Sequence, residues 1–268
     1  MNSNLLSAPS VWILKKFIAL QANLKNSVAE YDIAHAIDDL YKFLWNDYAD
    51  WYVEYLKTDA TDLLFAKNLY RQYVVLLSPY SPFETEALWS DFFKEKNLIA
   101  FETVDENWPV EILNNQDNFE AKFVEFESVV NFIQSIRSQK GLFGLDPATQ
   151  IEVYSVSEIL FKYQDLIFKM AKAKILNEEK TTLYNVKLDA FQYGLDINVL
   201  VSNKTAEMAR TEKIIVDLQK QASQLQVQLA NQGFLDSAEE EVILEKKEQV
   251  KTRQQEIEIQ QNKIKFLV

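Results

Sequence analysis

The stretch "WNDYADWYVEYLK", Trp45 to Lys57, gives five of its thirteen positions to Trp and Tyr, with Asn, Asp, Glu and Lys between them. At about 100° per residue, Trp45, Tyr48, Trp51, Tyr52 and Tyr55 fall within an arc of roughly 120° on one side of a helix. Such a stripe can close a core seam between helices, or it can offer ring faces on which nucleic-acid bases stack. The core seam is the expected use.

Other chemistry is thinly supplied. The chain has no Cys, which removes disulfides, thiol nucleophiles and Cys-based zinc sites. Its single histidine, His35, removes most chemistry that depends on imidazole and reads as a helix-surface or core-edge residue, not a metal ligand. The four glycines, Gly141, Gly144, Gly194 and Gly233, fall in no phosphate-cradling pattern, so P-loop and dinucleotide fingerprints are missing. There is no GxSxG, HExxH or kinase set either. Paired carboxylates abound, but an acidic helix face supplies them freely, and a glycosidase-like pair is not expected. The chain reads as a binding or assembly part.

The 268 residues suffice for one large domain or two to three smaller ones, and 48% hydrophobic residues exclude a disordered chain. No apolar run approaches the ~18 residues of a membrane span. The N-terminal stretch lacks the charged start and small-residue cleavage site of a signal peptide, so a cytoplasmic protein with no membrane partner is expected. The formal net charge of −12 argues against nonspecific DNA binding, because phosphate neutralisation is the main source of such affinity. The charge is unevenly spread. Residues 204–268 carry 10 Lys+Arg against 11 Asp+Glu, which leaves 18 against 29 for residues 1–203. A polyanion must therefore meet local basic patches.

The elements that would position these residues are mostly helices. Val11, Leu14, Phe17, Ile18 and Leu24 predict a helix over 10–26, with Ser10 as a possible cap. A second helix is predicted over 32–57 and a third over 62–77. Ser81, Pro82 and Glu84 form a capping-box pattern with proline at the first helical position. The pattern loosens over 98–110, where "NWP" ends any helix, and a further helix is predicted over 119–139. "GLFGLDP", Gly141 to Pro147, concentrates helix breakers and marks a domain boundary. After it, "TQIEVYSV" alternates like a strand, "EILFKYQDLIFKMAKAKIL" reads as a helix, and "LYNVKLDAFQYGLDINVLV" reads as two strands around a turn near Gly194. A small α+β unit follows from these.

From Thr205 onward Met208, Ile215, Leu218, Ala222, Leu225 and Leu229 recur at heptad spacing. Gly233 interrupts the pattern, and Ile243, Val250, Ile257 and Ile264 resume it every seven residues. Two helices can thus fold back as an antiparallel hairpin whose arms of about 27 residues reach about 40 Å. Lys246, Arg253 and Gln260 stand where the other seam residues belong, which predicts a thin hairpin with solvated faces. The heptads alone would also suit a structural protein that dimerises through this segment.

The motifs "YKFLWNDYADWYVEYLK", "LLSPYSPFETEALW" and "IRSQK" occur here in the order found in the anticodon-binding region of valyl-, isoleucyl- and leucyl-tRNA synthetases. The chain resembles the C-terminal part of the valyl-tRNA synthetase family. The hairpin "LANQGFLDSAEEEV", the lack of a Cys-rich end and the small α+β unit before the hairpin select the valyl family among its relatives. Its hairpin pattern is met by Leu229, Asn231, Phe234, Ala238, Val242 and Glu245. The chain departs from the family at Ala49, usually Cys, at Ser78, usually His, and at Glu239, usually Pro. Lys140 replaces a family arginine, which keeps charge but loses the bidentate fork.

The resemblance implies a mainly α fold: a helical-bundle anticodon-binding domain over 1–143, a small α+β unit over 144–203, and an antiparallel coiled-coil arm over 204–268. It implies a tRNA-recognition portion of a valine-tRNA ligase, binding the anticodon stem-loop and the outer corner of valine tRNA. The catalytic domain, with the ATP and magnesium it uses, would lie upstream; no cofactor or metal is expected in this chain, and a monomer is. Within the resembled bundle the aromatic stripe packs helices together, and polar faces meet the bases. Candidate contacts near the anticodon are Lys15, Lys16, Lys57, Arg71, Arg137 and Lys140. On the arm they are Lys204, Arg210, Lys213, Lys220, Lys246, Lys247, Lys251 and Arg253, directed at sugar and phosphate.

Overall fold

The computed structural model describes residues 6–104, 116–178, 183–196, 201, 204–231 and 240–267. Gly233, Phe234, Ala238, Glu239 and the "NWP" segment lie outside them. The described chain is mainly helical with one small four-stranded sheet.

Helix α1 (Ala8–Ala29) begins two residues earlier than its apolar spacing predicts. Ser7 is the cap: its hydroxyl accepts from Ser10 N at 3.3 Å, and Pro9 fits the first turn, where a missing N–H costs nothing. Ser10 is buried instead, and its hydroxyl joins Tyr52 at 2.6 Å and Asp62 at 2.5 Å. Asp62 also accepts from Ser7 N at 3.0 Å, so a buried carboxylate is satisfied by two groups from the start of α1.

Helix α2 (Ile33–Lys42) is capped by Asp32, which accepts from His35 N at 3.1 Å. The helix runs on through a wider π-type stretch, Phe43–Val53, and a last turn, Glu54–Leu56. This bears on the aromatic stripe. Tyr48, Trp51, Tyr52 and Tyr55 are buried as a core seam, but Trp45 is 52% exposed. Where backbone bonds reach five residues back, residues five apart face the same way, so Phe43 and Tyr48 share the core side. Trp45, at the margin of the arc expected for an ordinary helix, turns outward.

Helix α3 (Leu63–Leu77) and helix α4 (Pro82–Ala87, with a π-type continuation Leu88–Phe92) complete the first bundle half. The start at Pro82 is where the sequence places it, but the box closes differently: Ser81 Oγ donates to Glu84 Oε2 at 2.7 Å and makes no cap bond to the backbone. The long helix α5 (Gln116–Leu142) packs along α1. Trp12 meets Phe126 edge-on at 5.5 Å, Phe43 stacks on Tyr73 at 5.7 Å, and Tyr48 stacks on Tyr70 at 5.7 Å. The seam's hydroxyls are paired too, Tyr48 with Ala66 O at 2.9 Å and Tyr73 with Leu40 O at 3.2 Å.

The sheet has the order β2-β1-β4-β3. Strand β1 (Ile151–Tyr154) leads through α6 (Glu158–Lys162) and α7 (Gln164–Ala171) to β2 (Ala173–Leu176), which lies parallel to it. The single helix predicted up to Leu176 is thus corrected to two helices and a strand. Lys172 ends α7 in the left-handed conformation, φ 52°, without the glycine that usually signals such a stop. Strands β3 (Tyr184–Lys187) and β4 (Gln192–Leu195) pair antiparallel. Their turn spans Leu188 to Phe191, closed by Leu188 N to Phe191 O at 2.9 Å, and is not at Gly194. Gly194 lies inside β4, where a Cβ would come within 2.5 Å of Leu183 Cδ1; its role is close approach. The core is continuous from the bundle through α5 into the sheet.

Helices α8 (Lys204–Ala230) and α9 (Glu240–Leu267) pack against each other. Ile215 and Ala222 are buried, while Met208, Leu218, Leu225, Leu229, Ile243, Val250, Ile257 and Ile264 are half-buried. Lys246, Arg253 and Gln260 are half-buried as well.

Candidate nucleic-acid interface

The expected cations of the bundle are tied down within the chain. On α1, Lys15 Nζ lies 2.7 Å from Glu120 of α5 and 3.9 Å from the Phe123 ring centre, and Lys16 pairs with Asp47 at 3.7 Å. Lys57, just past the end of the α2 segment, pairs with Glu54 one turn back. Arg71 on α3 sits 4.2 Å over the buried Trp89 ring and reaches Glu95 at 3.2 Å and Glu102 at 3.8 Å. These pairs are partly exposed, so a competing phosphate would displace bonds worth about 0–1 kcal/mol each.

Near the end of α5 the two expected contacts differ. Arg137 remains exposed; its Nε and one terminal nitrogen donate to Met170 O at 3.2 and 3.0 Å, and its guanidinium lies 5.4 Å from the Trp51 ring centre. Lys140 is only 3% exposed and donates to Pro147 O at 3.0 Å, Thr149 O at 2.5 Å and Ala171 O at 2.7 Å. An ammonium has three donors, so none is left for a phosphate. Burial, and secondarily the charge of Lys172, holds its pKa below the usual lysine range. The expectation of a phosphate contact at Lys140 is corrected accordingly: it holds the loop after α5 and the end of α7 together.

The arm differs. Arg210 approaches Glu207 at 3.7 Å, Arg253 binds Glu256 at 2.6 Å, and Lys246 donates to Gln228 at 3.0 Å. Among the described residues, Lys204, Lys213, Lys220, Lys247 and Lys251 have no ion-pair or hydrogen-bond partner on their side chains, and all but the half-buried Lys204 are exposed. Lys213 and Lys220 are two turns apart on one face of α8, and Lys247 and Lys251 one turn apart on one face of α9. This arrangement offers point charges to a polyanion at no cost in broken ion pairs. His35 is exposed on the first turn of α2, 2.5 Å from Asp32. The periodicity assigned Trp45 to the core stripe and did not mark Tyr41, yet both rings are exposed and lie 6.2 Å apart; the π-type stretch that turns Trp45 outward leaves no mark in a helical wheel.

Residues 10–155 match the family described as the anticodon-binding domain of tRNA ligase. The chain belongs to that family. Residues 205–267, the paired helices α8 and α9, match a second description, the valyl tRNA synthetase tRNA binding arm. Among similar proteins, the valine–tRNA ligase of Borreliella burgdorferi is 26% identical over 250 residues, covering 87% of this chain and 28% of the relative. That of Thermotoga maritima is 27% identical over 259 residues, covering 92% and 29%, and that of Mesoplasma florum is 23% identical over 285 residues, covering 98% and 31%. The chain thus spans less than a third of the length of the curated relatives it matches. These matches do not favour a purely structural, dimerising protein, and they join the anticodon-binding family to a tRNA-binding arm in one chain. No helix among the described residues is long and apolar enough to cross a membrane.

Proposed function

We propose that this chain is the tRNA-recognition portion of a valine–tRNA ligase, with a bundle over 1–143 that meets the anticodon stem-loop, an α+β unit over 144–203, and an arm over 204–268 that meets the outer corner of valine tRNA. The observation that carries this reading is the set of unpartnered lysines on the arm, joined to a bundle of the anticodon-binding family. The arm is an antiparallel coiled-coil hairpin in this account. Glu207 meets Lys263 and Gln228 meets Lys246, so residue numbers rise along one helix as they fall along the other. That register brings Lys220 level with Lys251, which concentrates charge midway along an arm about 40 Å long.

Contacts on the arm are to sugar and phosphate, which position the ligand without reading sequence. Base recognition stays with the bundle, where Lys15, Lys16, Lys57, Arg71 and Arg137 are the candidate contacts and exchange internal partners for the RNA. ATP and magnesium act in the catalytic part of the full-length enzyme, which works as a cytoplasmic monomer. Binding of valine tRNA and of unrelated tRNAs to the intact chain and to a truncation at Asn203, across a salt series, tests this. Similar losses for all tRNAs with a shallower salt slope in the truncation are expected. Unchanged affinity, or discrimination lost while affinity persists, would contradict it. Sedimentation of both forms decides the dimer reading: a dimer abolished by the truncation would favour it.

A further inference from the structure

The base of the arm converges on one buried ammonium. Lys263, in the closing turns of α9, is 1% exposed and donates both to Leu142 O at the end of α5 and to Glu207 Oε1, 2.5 Å away, in the first turn of α8. Its charge also lies 5.0 Å from the Phe143 ring centre, and Phe143 meets Tyr184 of β3 edge-on at 5.7 Å. Two separate pieces of chain, the end of α5 and the start of α8, therefore share one side chain of α9, and each has a physical reason to do so. The last carbonyls of a helix lack partners within it and carry partial negative charge, which suits a cation at Leu142. The start of a helix carries the opposite partial charge, which suits Glu207 at the start of α8. Beside this clamp, Arg210 packs against Gly144, whose φ of 66° and lack of a side chain permit the approach; a Cβ there would come within 2.5 Å of the guanidinium. Leu267 is buried in the core and Met208 packs against it, so apolar contacts close the same junction.

We propose that Lys263 is a positioning residue that fixes the direction of the arm relative to the bundle, and so fixes the spacing between two tRNA-contacting elements. A buried ammonium with a carboxylate and a helix-end carbonyl has one satisfied arrangement, and any swing of the arm about its base separates a charge from its partners in a desolvated place. A fixed spacing makes engagement of the second element intramolecular, at an effective concentration that a loose arm would lower. The functional consequence rests on the tRNA reading above; the clamp itself does not.

The chain lacks cysteine, so spin labels can be placed at Val227→Cys on the exposed face of α8 and Leu63→Cys on α3 and their distance distribution measured. A single narrow distribution is expected with Lys263, a broadened or displaced one with Lys263→Met, and partial recovery with Lys263→Arg. Glu207→Gln, which keeps the geometry but removes one charge, is expected to broaden it less and serves if Lys263→Met fails to fold. Distributions unchanged in both Lys263→Met and Glu207→Gln would overturn the proposal. In parallel, Lys263→Met should weaken binding of whole valine tRNA at least about tenfold and leave binding of an isolated anticodon stem-loop unchanged. A broadened distribution with unchanged affinity for whole tRNA would uphold the clamp and count against the arm as a tRNA contact.

Discussion

The Lys140 ammonium lies 2.7 Å from the carbonyl oxygen of Ala171, joining α5 to the last residue of α7. A side chain that the family resemblance places on an RNA-facing surface is thus an internal ligand for three carbonyls, two of them from the loop that follows α5.

Lys140→Met should therefore lower unfolding free energy by roughly 1–3 kcal/mol, since it leaves the carbonyl of the buried Ala171 without a donor and releases those of the half-buried Thr149 and the exposed Pro147. Denaturant melts check this. Among variants that remain folded, tRNA affinity should match that of the parent; a stable variant with weakened binding would return Lys140 to the interface.

Trp51 and Trp45 share a motif and not a role. Trp51 is 7% exposed, and Trp51→Ala should cost about 3–5 kcal/mol, as emptying a buried aromatic site does. Trp45→Ala, at an exposed position, should cost less than about 1 kcal/mol. Thermal melts of the two variants provide the comparison, and equal costs would mean that the π-type stretch does not turn Trp45 outward.

Burial pushes the phenols of Tyr55, Tyr73 and Tyr193 up to about 12. In the unfolded chain they ionise near pH 10. Between those values the unfolded state has released protons that the folded state still holds, so stability falls as pH rises. Stability of the tyrosine-lined core should be unaffected by these groups below about pH 9 and decline from about pH 10 upward. Tyrosinate absorbance followed with circular dichroism should show these tyrosines ionising together with loss of helix. Free titration near pH 10 with the fold intact would contradict their burial.

Most of the helical frame is legible in the sequence, because α1, α2, α3 and α5 each bury one face against the bundle and repeat apolar residues accordingly. The residues missed are those governed by contacts distant in sequence. Nothing in "AKIL" distinguishes the parallel strand β2 from a continued helix; it is set by pairing with Ile151–Tyr154. Likewise "IRSQK" offers a cation but gives no sign of Ala171, 31 residues away, whose carbonyl accepts its hydrogen bond. Lys263 lies among heptad residues and carries no mark of Leu142, 121 residues distant. The exposed lysines of the arm are readable from spacing alone, since only their own helices place them.

The most direct test of the account replaces Lys213, Lys220, Lys247 and Lys251 together by Gln and measures tRNA affinity against salt concentration. These residues are exposed and have no ion-pair partner among the described residues, so the substitutions should leave the melting temperature within a few degrees of the parent. Valine tRNA and unrelated tRNAs should lose affinity by similar factors, and the log–log salt slope should become shallower by about one for each phosphate contact removed. An unchanged slope and affinity in a folded variant would contradict this.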